Sequence, residues 1–507
     1  MSSQRVETST LWDAFPDPAA AANVRYAPTF AQLRDLARDD EVTTEYGSPA
    51  YVSEQRSRSA DDTKNLVDHD FEAGDWEAIE QSLEVAAETD LVCLDRTVGR
   101  DPETAYVARL FVPAAYARIA LAWGKLLEPA DPGVDPDFQT LQLPDWDTER
   151  PRRIRILPDE GLTFVLGSDY TGEAKKSFLR LFMYRAKQQG GLGLHAGTKR
   201  LTFAEEGGEA TEVGQAFLGL SATGKSTLTG HGCWLEAPEG AEMLQDDVAA
   251  FLPDGRITGS EGQGLYIKTI GLDEDEQPQL YRAATHESAV FENVRVDEDG
   301  TVDFDDGELT TNSRAVVQRE CLESASEDID LASVDQVFFI TRNPVMPPVA
   351  RLTAEQAAVA FMLGESIQTS AGDPDAAGES IRVVGTNPFI VGPPGEEGNR
   401  FYDLIAANDV ECFVLNTGHV GPAKADIGVR ESVSILVGAA RGEIEWRHDE
   451  RLDLEVPEAV PGMNVEAFYP PRHYEDFEET LAELRAERRE YLERFETLSA
   501  EIRDAVY

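Results

Sequence analysis

Residues 219–227, GLSATGKST, follow the apolar run Gln215-Ala216-Phe217-Leu218 without a break. The string satisfies G-x-x-x-x-G-K-[ST] in full: Gly219, Gly224, Lys225 and Ser226 hold the defining positions, and Leu220, Ser221, Ala222 and Thr223 lie between them. The apolar run predicts a buried strand, the glycine loop must leave it sharply, and the STLTGHG that follows predicts a helix start. Strand, loop and helix in that order belong to an α/β fold. The chemistry needs these residue types. Glycines let backbone N–H groups face phosphate oxygens, Lys225 reaches the β and γ oxygens, Ser226 offers an oxygen to Mg2+, and Thr227 completes the loop. A functionless glycine turn does not require a lysine and a hydroxyl at these offsets.

Twenty-two residues beyond Lys225, the run AEMLQ ends in Asp246-Asp247. Carboxylates at the exit of a buried strand beside a phosphate loop are natural ligands for a cation that bridges protein to phosphate. The plainer reading of such a pair is a turn. Lysine is scarce: the chain has nine, and four of them are Lys175, Lys176, Lys225 and Lys268. Surface base elsewhere is Arg, so Lys175-Lys176 in YTGEAKKS, just after Tyr170 and Glu173, suggests more than a solvated helix start. His195, between glycines in GLGLHAG, fits a core histidine or a cation ligand.

Charge narrows the partners. The chain has 95 Asp and Glu against 45 Lys and Arg, a net charge of −50 over 507 residues. Nucleic acid and anionic membranes need a basic footprint, so neither is expected, and no protein partner is implied. Acid spread along the whole chain with little Lys suggests a halophile's soluble protein, hydrated in concentrated salt. At 1 M salt the Debye length is about 3 Å, so this surface charge would hardly be felt at a local cationic site. Cys93, Cys233, Cys321 and Cys412 lack CxxC spacing and suit a reducing cytoplasm better than a disulfide frame or zinc site. The best apolar run, 111–127, is broken by Arg118 and Lys125, and MSSQRVETST is no signal segment. A cytoplasmic location is the expectation.

Helical patterns appear at 29–36 and 76–87, and apolar strand signals at 91–94, in RIRIL and in LTFVLG. The Pro- and Asp-rich stretch 129–151 predicts a surface loop. Texture changes near residue 190 to short strand signals separated by glycine turns. From Phe477, apolar residues at spacings of three, four and seven predict an amphipathic helix interrupted at Arg488. DEDGTVDFDDGE, 297–308, has its glycine at the wrong offset for a calcium loop and predicts an acidic hairpin.

Taken together, the strings GRDPE, YTGEAKK, GLH, GLSATGKST, QDD, EGQGLYIKTI, FDDGELTTNSR, PPVARLTAEQ and NTG, in this order, resemble the ATP-utilising phosphoenolpyruvate carboxykinases. The resemblance runs from about residue 98 to 461. It implies a mixed α/β N-terminal domain, 1–190, that binds substrate. It also implies a P-loop-containing α/β C-terminal domain, 191–507, that binds nucleotide and metal, with the active site in the cleft between them. The implied reaction is oxaloacetate plus ATP to phosphoenolpyruvate, CO2 and ADP, with Mn2+ and Mg2+.

The resemblance also implies roles. Arg100 matches the arginine that grips the substrate carboxylate, and Tyr170 the tyrosine beside it. Lys176, His195 and Asp247 match the Mn2+ ligands; a lysine ligates only when neutral, so the cation must depress its pKa. Lys225 and Ser226 take the phosphate-loop roles, Ser226 toward Mg2+. Arg314 matches the arginine bridging substrate and γ-phosphate, and Lys175 and Lys268 match further lysines near the phosphates. On this reading Lys176, Lys225, Arg314 and Arg100 are the catalytic set.

Three departures stand out. Ala222 replaces a glycine, Gln277 stands where a glutamate helps hold the nucleoside, and no arginine falls near Ala425 to flank the adenine, although Lys424 and Arg430 are close by. The stretch 368–380, rich in Gly, Ser and Asp, suggests either a mobile lid or a surface insertion. Two other functions are compatible with the phosphate loop: a diverged kinase of this fold for another acceptor, and an inactive nucleotide-binding protein. Retention of Arg100, Tyr170 and Lys176 speaks against the former, and of Lys225, Ser226, Asp247 and Arg314 against the latter.

Overall fold

The computed structural model describes residues 8–56, 60–146, 151–204, 207, 210–220, 223–367 and 380–507. Ser221, Ala222 and all but the last residue of the stretch 368–380 lie outside the described residues. The chain is mixed α/β and forms two compact units, Met1–Tyr184 with Ser260–Glu323, and Arg185–Gly259 with Ser324–Tyr507. Where the sequence suggested one cut near residue 190, contacts group 260–323 with the first unit.

The larger sheet of the first unit runs, in spatial order, Val24–Tyr26, Leu91–Val98, Tyr106–Pro113, Phe138–Leu143, Leu162–Leu166, Arg153–Leu157 and Thr63–Asn65, with Glu128–Pro129 paired to Leu91–Val98. Helix Ala73–Glu88 lays Ala78, Ile79, Leu83 and Ala86 on one face, in one cluster with Phe111, Leu141 and Phe164 from the sheet. That face follows from the 3.6-residue period. The expected surface loop at 129–151 contains instead the strand Phe138–Leu143, buried along its whole length and parallel to both neighbours. Its sequence, FQTLQL, hid it by carrying polar residues inward. Their hydrogen bonds explain how it is tolerated: Gln142 donates to Ser168 O at 2.9 Å and to Tyr170 O at 3.2 Å, and Thr140 meets Ser177 at 3.0 Å.

A second sheet of this unit has the order Gly264–Lys268, Arg314–Gln318, Val290–Glu292, Pro49–Tyr51, Val42–Thr43. The predicted acidic hairpin is present as the antiparallel pair Arg295–Val296 and Val302–Asp303.

An eight-stranded sheet forms the second unit, ordered Gly240–Gln245, Ala196–Ala204, Ala210–Leu218, Gln336–Thr341, Glu411–Asn416, Val349–Leu352, Leu454–Ala459 and Glu445–Asp449. Ala210–Leu218, Gln336–Thr341 and Glu411–Asn416 are parallel neighbours, with Phe217, Phe338 and Phe413 in register. Their rings stack at 5.6 and 5.0 Å, both 18° from parallel, all buried. Each such pair contributes about 0.5–1.5 kcal/mol beyond its burial, which locks the register of the strand that launches the phosphate loop.

A smaller sheet joins Leu192–Leu194, Ala249–Phe251 and Ile257–Gly259. The C-terminal helix Phe477–Glu493 is not interrupted at Arg488. Arg488 lies on its buried face, where it donates to Glu365 at 2.8 Å and to Tyr507 O at 2.8 Å. Among the described residues no helix is long and apolar enough to cross a membrane.

Candidate functional site

In the second unit, three chain segments leave the sheet at the carboxyl ends of the three parallel strands: 219–224 after Leu218, Arg342 after Thr341, and Thr417 after Asn416. Such an edge is where open α/β sheets bind ligands. Gly224 has φ +93°, which a side chain at that position would resist, and Lys225 opens the helix Lys225–Gly230. Thr417 Oγ1 donates to Thr223 O at 2.7 Å, which ties the loop to the neighbouring turn.

A switch between sheets creates the carboxylate–histidine pair. Leu192–Leu194 pairs with Ala249–Phe251 in the small sheet, while Ala196–Ala204 pairs with Gly240–Gln245 in the large one. The connecting residues, His195 on one chain and Asp246-Asp247 on the other, therefore face each other. His195 Nε2 lies 3.0 Å from Asp247 Oδ1, and its Nδ1 lies 2.7 Å from Thr386 O. A carbonyl only accepts, so Nδ1 carries a proton. Nε2 is then left with a lone pair toward a carboxylate unless a cation or a second proton joins them. That donor set fits a divalent cation, with Thr386 orienting the ring.

Asp246, the other member of the pair, turns away toward the phosphate loop. Its Oδ2 accepts from Ser226 Oγ at 3.2 Å, and its Oδ1 is buried without a hydrogen-bond partner among the described residues. A hydroxyl and a carboxylate at the loop's lysine fit Mg2+. The two carboxylates of the doublet thus point to different partners, a division that adjacency in sequence alone did not reveal. Among the described residues no group of three or more His, Cys, Asp or Glu side chains is placed to hold a metal. Lys176, the further ligand expected from the resemblance, belongs to the first unit, half-buried in the helix Thr171–Gln188.

A cationic wall forms in the first unit. Lys268 and Arg314 are direct partners on antiparallel strands. Like charges so placed repel, and they suit an anion between them. Burial, with the neighbouring guanidinium, pushes Lys268 down to about 8. Tyr266, two residues earlier on the same face, carries the Arg314 guanidinium 5.4 Å and the Lys175 ammonium 5.7 Å from its ring centroid. Its hydroxyl donates to Glu292, and burial holds that phenol far above its usual pKa. Lys175 also donates to Glu261 at 2.8 Å, both side chains 3% exposed. Removing one partner of such a buried pair destabilises by about 3–5 kcal/mol.

Tyr170 belongs to this wall, but Arg100 does not. Asn312 Nδ2 donates to Tyr170 Oη at 3.1 Å and to Arg56 O at 3.1 Å, and its Oδ1 accepts from Arg314 at 2.8 Å. Arg56 is delivered there by Asp169, whose carboxylate accepts the amides of Glu54 and Gln55, each at 2.9 Å, and pairs with buried Arg118 at 2.7 Å. Arg56 donates to Leu309 O at 2.7 Å, which sets the plane of its guanidinium. Arg100 instead donates to Glu128 at 2.6 Å and to Gly262 O at 2.9 Å. Its charge is already met by an internal carboxylate.

Sequence reading missed Arg56, Glu261, Tyr266, Glu292 and Asn312. Glu261, Tyr266 and Asn312 lay inside strings already singled out, EGQGLYIKTI and TTNSR, whereas QRSRS around Arg56 offered only two arginines in a polar stretch. Of the residues near the three departures, Gln277 precedes the helix Pro278–Ala284 in the first unit, and Lys424 sits at φ +55° in the turn joining His419–Val420 to Ala425–Asp426. Arg430 is exposed on the helix Val429–Ala440.

Comparison with known proteins agrees with this geometry. The sequence profile of the family described as phosphoenolpyruvate carboxykinase matches residues 23–466. A protein of Aeropyrum pernix named phosphoenolpyruvate carboxykinase (ATP) is 34% identical over 490 residues, 95% of this chain and 96% of its own. Proteins of the same name from Azorhizobium caulinodans and Mesorhizobium japonicum are each 30% identical; the former spans 85% of this chain and 82% of its own, the latter 76% and 72%. The chain belongs to the phosphoenolpyruvate carboxykinase family.

Proposed function

We propose that this protein is an ATP-dependent carboxy-lyase of gluconeogenesis that converts oxaloacetate and ATP to phosphoenolpyruvate, CO2 and ADP, with Mn2+ and Mg2+. The observation that carries this reading is the Tyr170–Asn312–Arg314 cluster, with Lys268 opposite Arg314, in a chain that also has a complete phosphate loop. A kinase for an ordinary hydroxyl acceptor has no use for an arginine, a lysine and a tyrosine gathered where small carboxylates could bind.

Each group has a task in the chemistry. Tyr170 and an arginine, for which Arg100 and Arg56 are the two candidates, hold the carboxylate of oxaloacetate that is retained, since guanidinium–carboxylate pairs give both strength and orientation. The bond to the departing carboxyl group breaks, and its electron pair forms the double bond of an enolate. The enolate oxygen then attacks the γ-phosphorus as the bond to the bridging oxygen of ADP breaks. Positioning and charge neutralisation dominate such transfers. Lys225 and the loop amides hold the triphosphate, and Arg314 with Lys268 offsets charge as the phosphoryl group moves. Lys175, fixed by Glu261, keeps the neighbouring turn of its helix, and with it Lys176, in place. His195, Asp247 and Lys176 would hold Mn2+, and Ser226 with Asp246 Mg2+; these cations supply stabilisation of the developing enolate and polarisation of the phosphates.

The purified protein in high salt is expected to form phosphoenolpyruvate from oxaloacetate and ATP only when a divalent metal is added. Absence of product with either ATP or GTP, with the fold intact by circular dichroism, overturns the reading. Lys176→Ala should abolish turnover while ATP binding survives, and equal activity in that variant removes Lys176 from the site.

A further inference from the structure

Arg342 has no role in the chemistry above, yet its surroundings demand a partner. Its Nε is buried, and no nitrogen of its guanidinium has a hydrogen bond or ion pair with any described residue. Arg118 and Arg485 also have an unpartnered buried Nε, but their terminal nitrogens reach a carboxylate or carbonyls. The carboxylate that the adjacent Asn343 reaches, Glu365, is already engaged. Glu365 accepts from Asn343, Arg382 and Arg488 at 2.8–3.0 Å. A half-buried guanidinium whose Nε is shielded from water, with no anion beside it among the described residues, gains from a ligand that covers it.

Position identifies the part of the ligand. Arg342 follows Thr341 at the carboxyl end of the strand beside the phosphate-loop strand. Thr341 O accepts from Thr417 N at 2.9 Å, and Thr417 Oγ1 in turn reaches Thr223 O of the loop. The Arg342 stem lies against Gly418, where an added Cβ would meet its Cβ at 3.1 Å and its Cγ at 3.2 Å. The Ser226–Asp246 pair lies on the other side of the loop strand, because Gly240–Gln245 is two strands away in the opposite direction. A cation there marks the terminal phosphates. The nucleoside end must then lie toward Arg342.

We propose that Arg342 recognises the nucleoside end of the bound nucleotide, its planar guanidinium stacking on the face of the base. The inference rests on the nucleotide reading above and adds to it a residue that decides affinity for the nucleoside. Stacking needs the delocalised plane of arginine and not only its charge. Burial alone lowers the pKa of Arg342, as expected for a cation awaiting a partner.

Calorimetric titration of the full chain in the presence of Mg2+, with ATP, ADP and inorganic tripolyphosphate, tests it. Arg342→Met is expected to weaken ATP and ADP by roughly ten-fold. Tripolyphosphate should change by no more than about two-fold, and the ligand-free melting temperature should hold or rise slightly, since a half-buried charge without an ion partner is removed. Arg342→Lys, which keeps the charge and loses the plane, should match Arg342→Met. Unchanged ATP affinity in Arg342→Met overturns the inference. So does an equal loss for tripolyphosphate, or full rescue by lysine, because either makes Arg342 a phosphate contact. Should Arg342→Met fail to fold, Gly418→Ala displaces the stem with the charge retained: a loss for ATP but not for tripolyphosphate supports stacking, and no change opposes it. Wild-type protein that does not bind ATP overturns the nucleotide reading itself, a result distinct from all of these.

Discussion

The phosphate loop of the second unit comes from one unbroken string, 219–227, whereas the cationic wall of the first draws on separated segments around 53–56, 169–176, 261–268, 292 and 309–314. The two also treat charge differently. In the loop, Lys225 and Ser226 stand half-buried and exposed at the start of a short helix. In the wall, Lys175 is buried against Glu261, and Lys268 is held beside Arg314 at the expense of its own pKa. A local device depends on backbone geometry that its own residues supply. A dispersed one depends on tethers, and damage to a tether should reach residues it never touches.

The sharpest break in this comparison is Lys225→Met. It should lower phosphoenolpyruvate formation by roughly 10²–10³-fold, the loss usual for a donor aimed at developing charge, and leave the melting temperature unchanged. A large fall in stability would mean that the loop, too, is a packing element.

Asp169→Asn strikes the tether of the wall. It leaves Arg118 buried and unpaired and loosens the segment that delivers Arg56, so unfolding in guanidinium chloride should show a loss of about 3–5 kcal/mol. The KM for oxaloacetate should rise as well. A loss under about 1 kcal/mol would show that 53–56 is held by other contacts.

Arg56→Ala against Arg100→Ala separates the two candidate carboxylate grips. Loss of a charged hydrogen bond is worth about 1.5–3 kcal/mol, so Arg56→Ala should raise the KM for oxaloacetate by about 10- to 150-fold. Arg100→Ala, which breaks the partly exposed pair with Glu128 and the bond to Gly262 O, should change it by less than about three-fold. The reverse order restores Arg100 to the site.

The smallest expected effect is a pH limb set by Lys268. Its pKa is about 8 in the fold against the usual 10.5, so the unfolded chain binds more protons between those values. Charged Lys268 therefore destabilises the fold below pH 8, and stability grows as pH rises through that window. Anion binding follows the opposite course, because Lys268 attracts an anion only while charged. KM for oxaloacetate should climb a few-fold above pH 8 in the wild type and stay flat in Lys268→Arg, which remains charged. An identical limb in both assigns the titration to another group.

These regions also show how far residues could be followed without coordinates. GLSATGKST named its own strand, loop and helix, because glycine, lysine and hydroxyl at fixed offsets act on the next few residues only. Helix Ala73–Glu88 was legible for the same reason, since its period is local. Phe138–Leu143 was not, because its inward Gln and Thr are acceptable only beside Ser168, Tyr170 and Ser177, which the chain supplies later. Arg100 was singled out by its match to the family string GRDPE, which says nothing of its contacts in the fold. Glu128, 28 residues on, takes its charge, a fact that no local spacing contains.

The sequence by itself determined the family, the α/β class and the phosphate loop, all carried by strings whose meaning depends on neighbours in the chain. Tertiary structure alone decided that Asn312 joins Tyr170 to Arg314, how Asp246 and Asp247 divide between Ser226 and His195, and that Arg342 lacks an ion partner among the described residues. The physical reason is that a side chain's charge state and direction are set by whatever the fold packs against it. Those neighbours lie tens to hundreds of residues away.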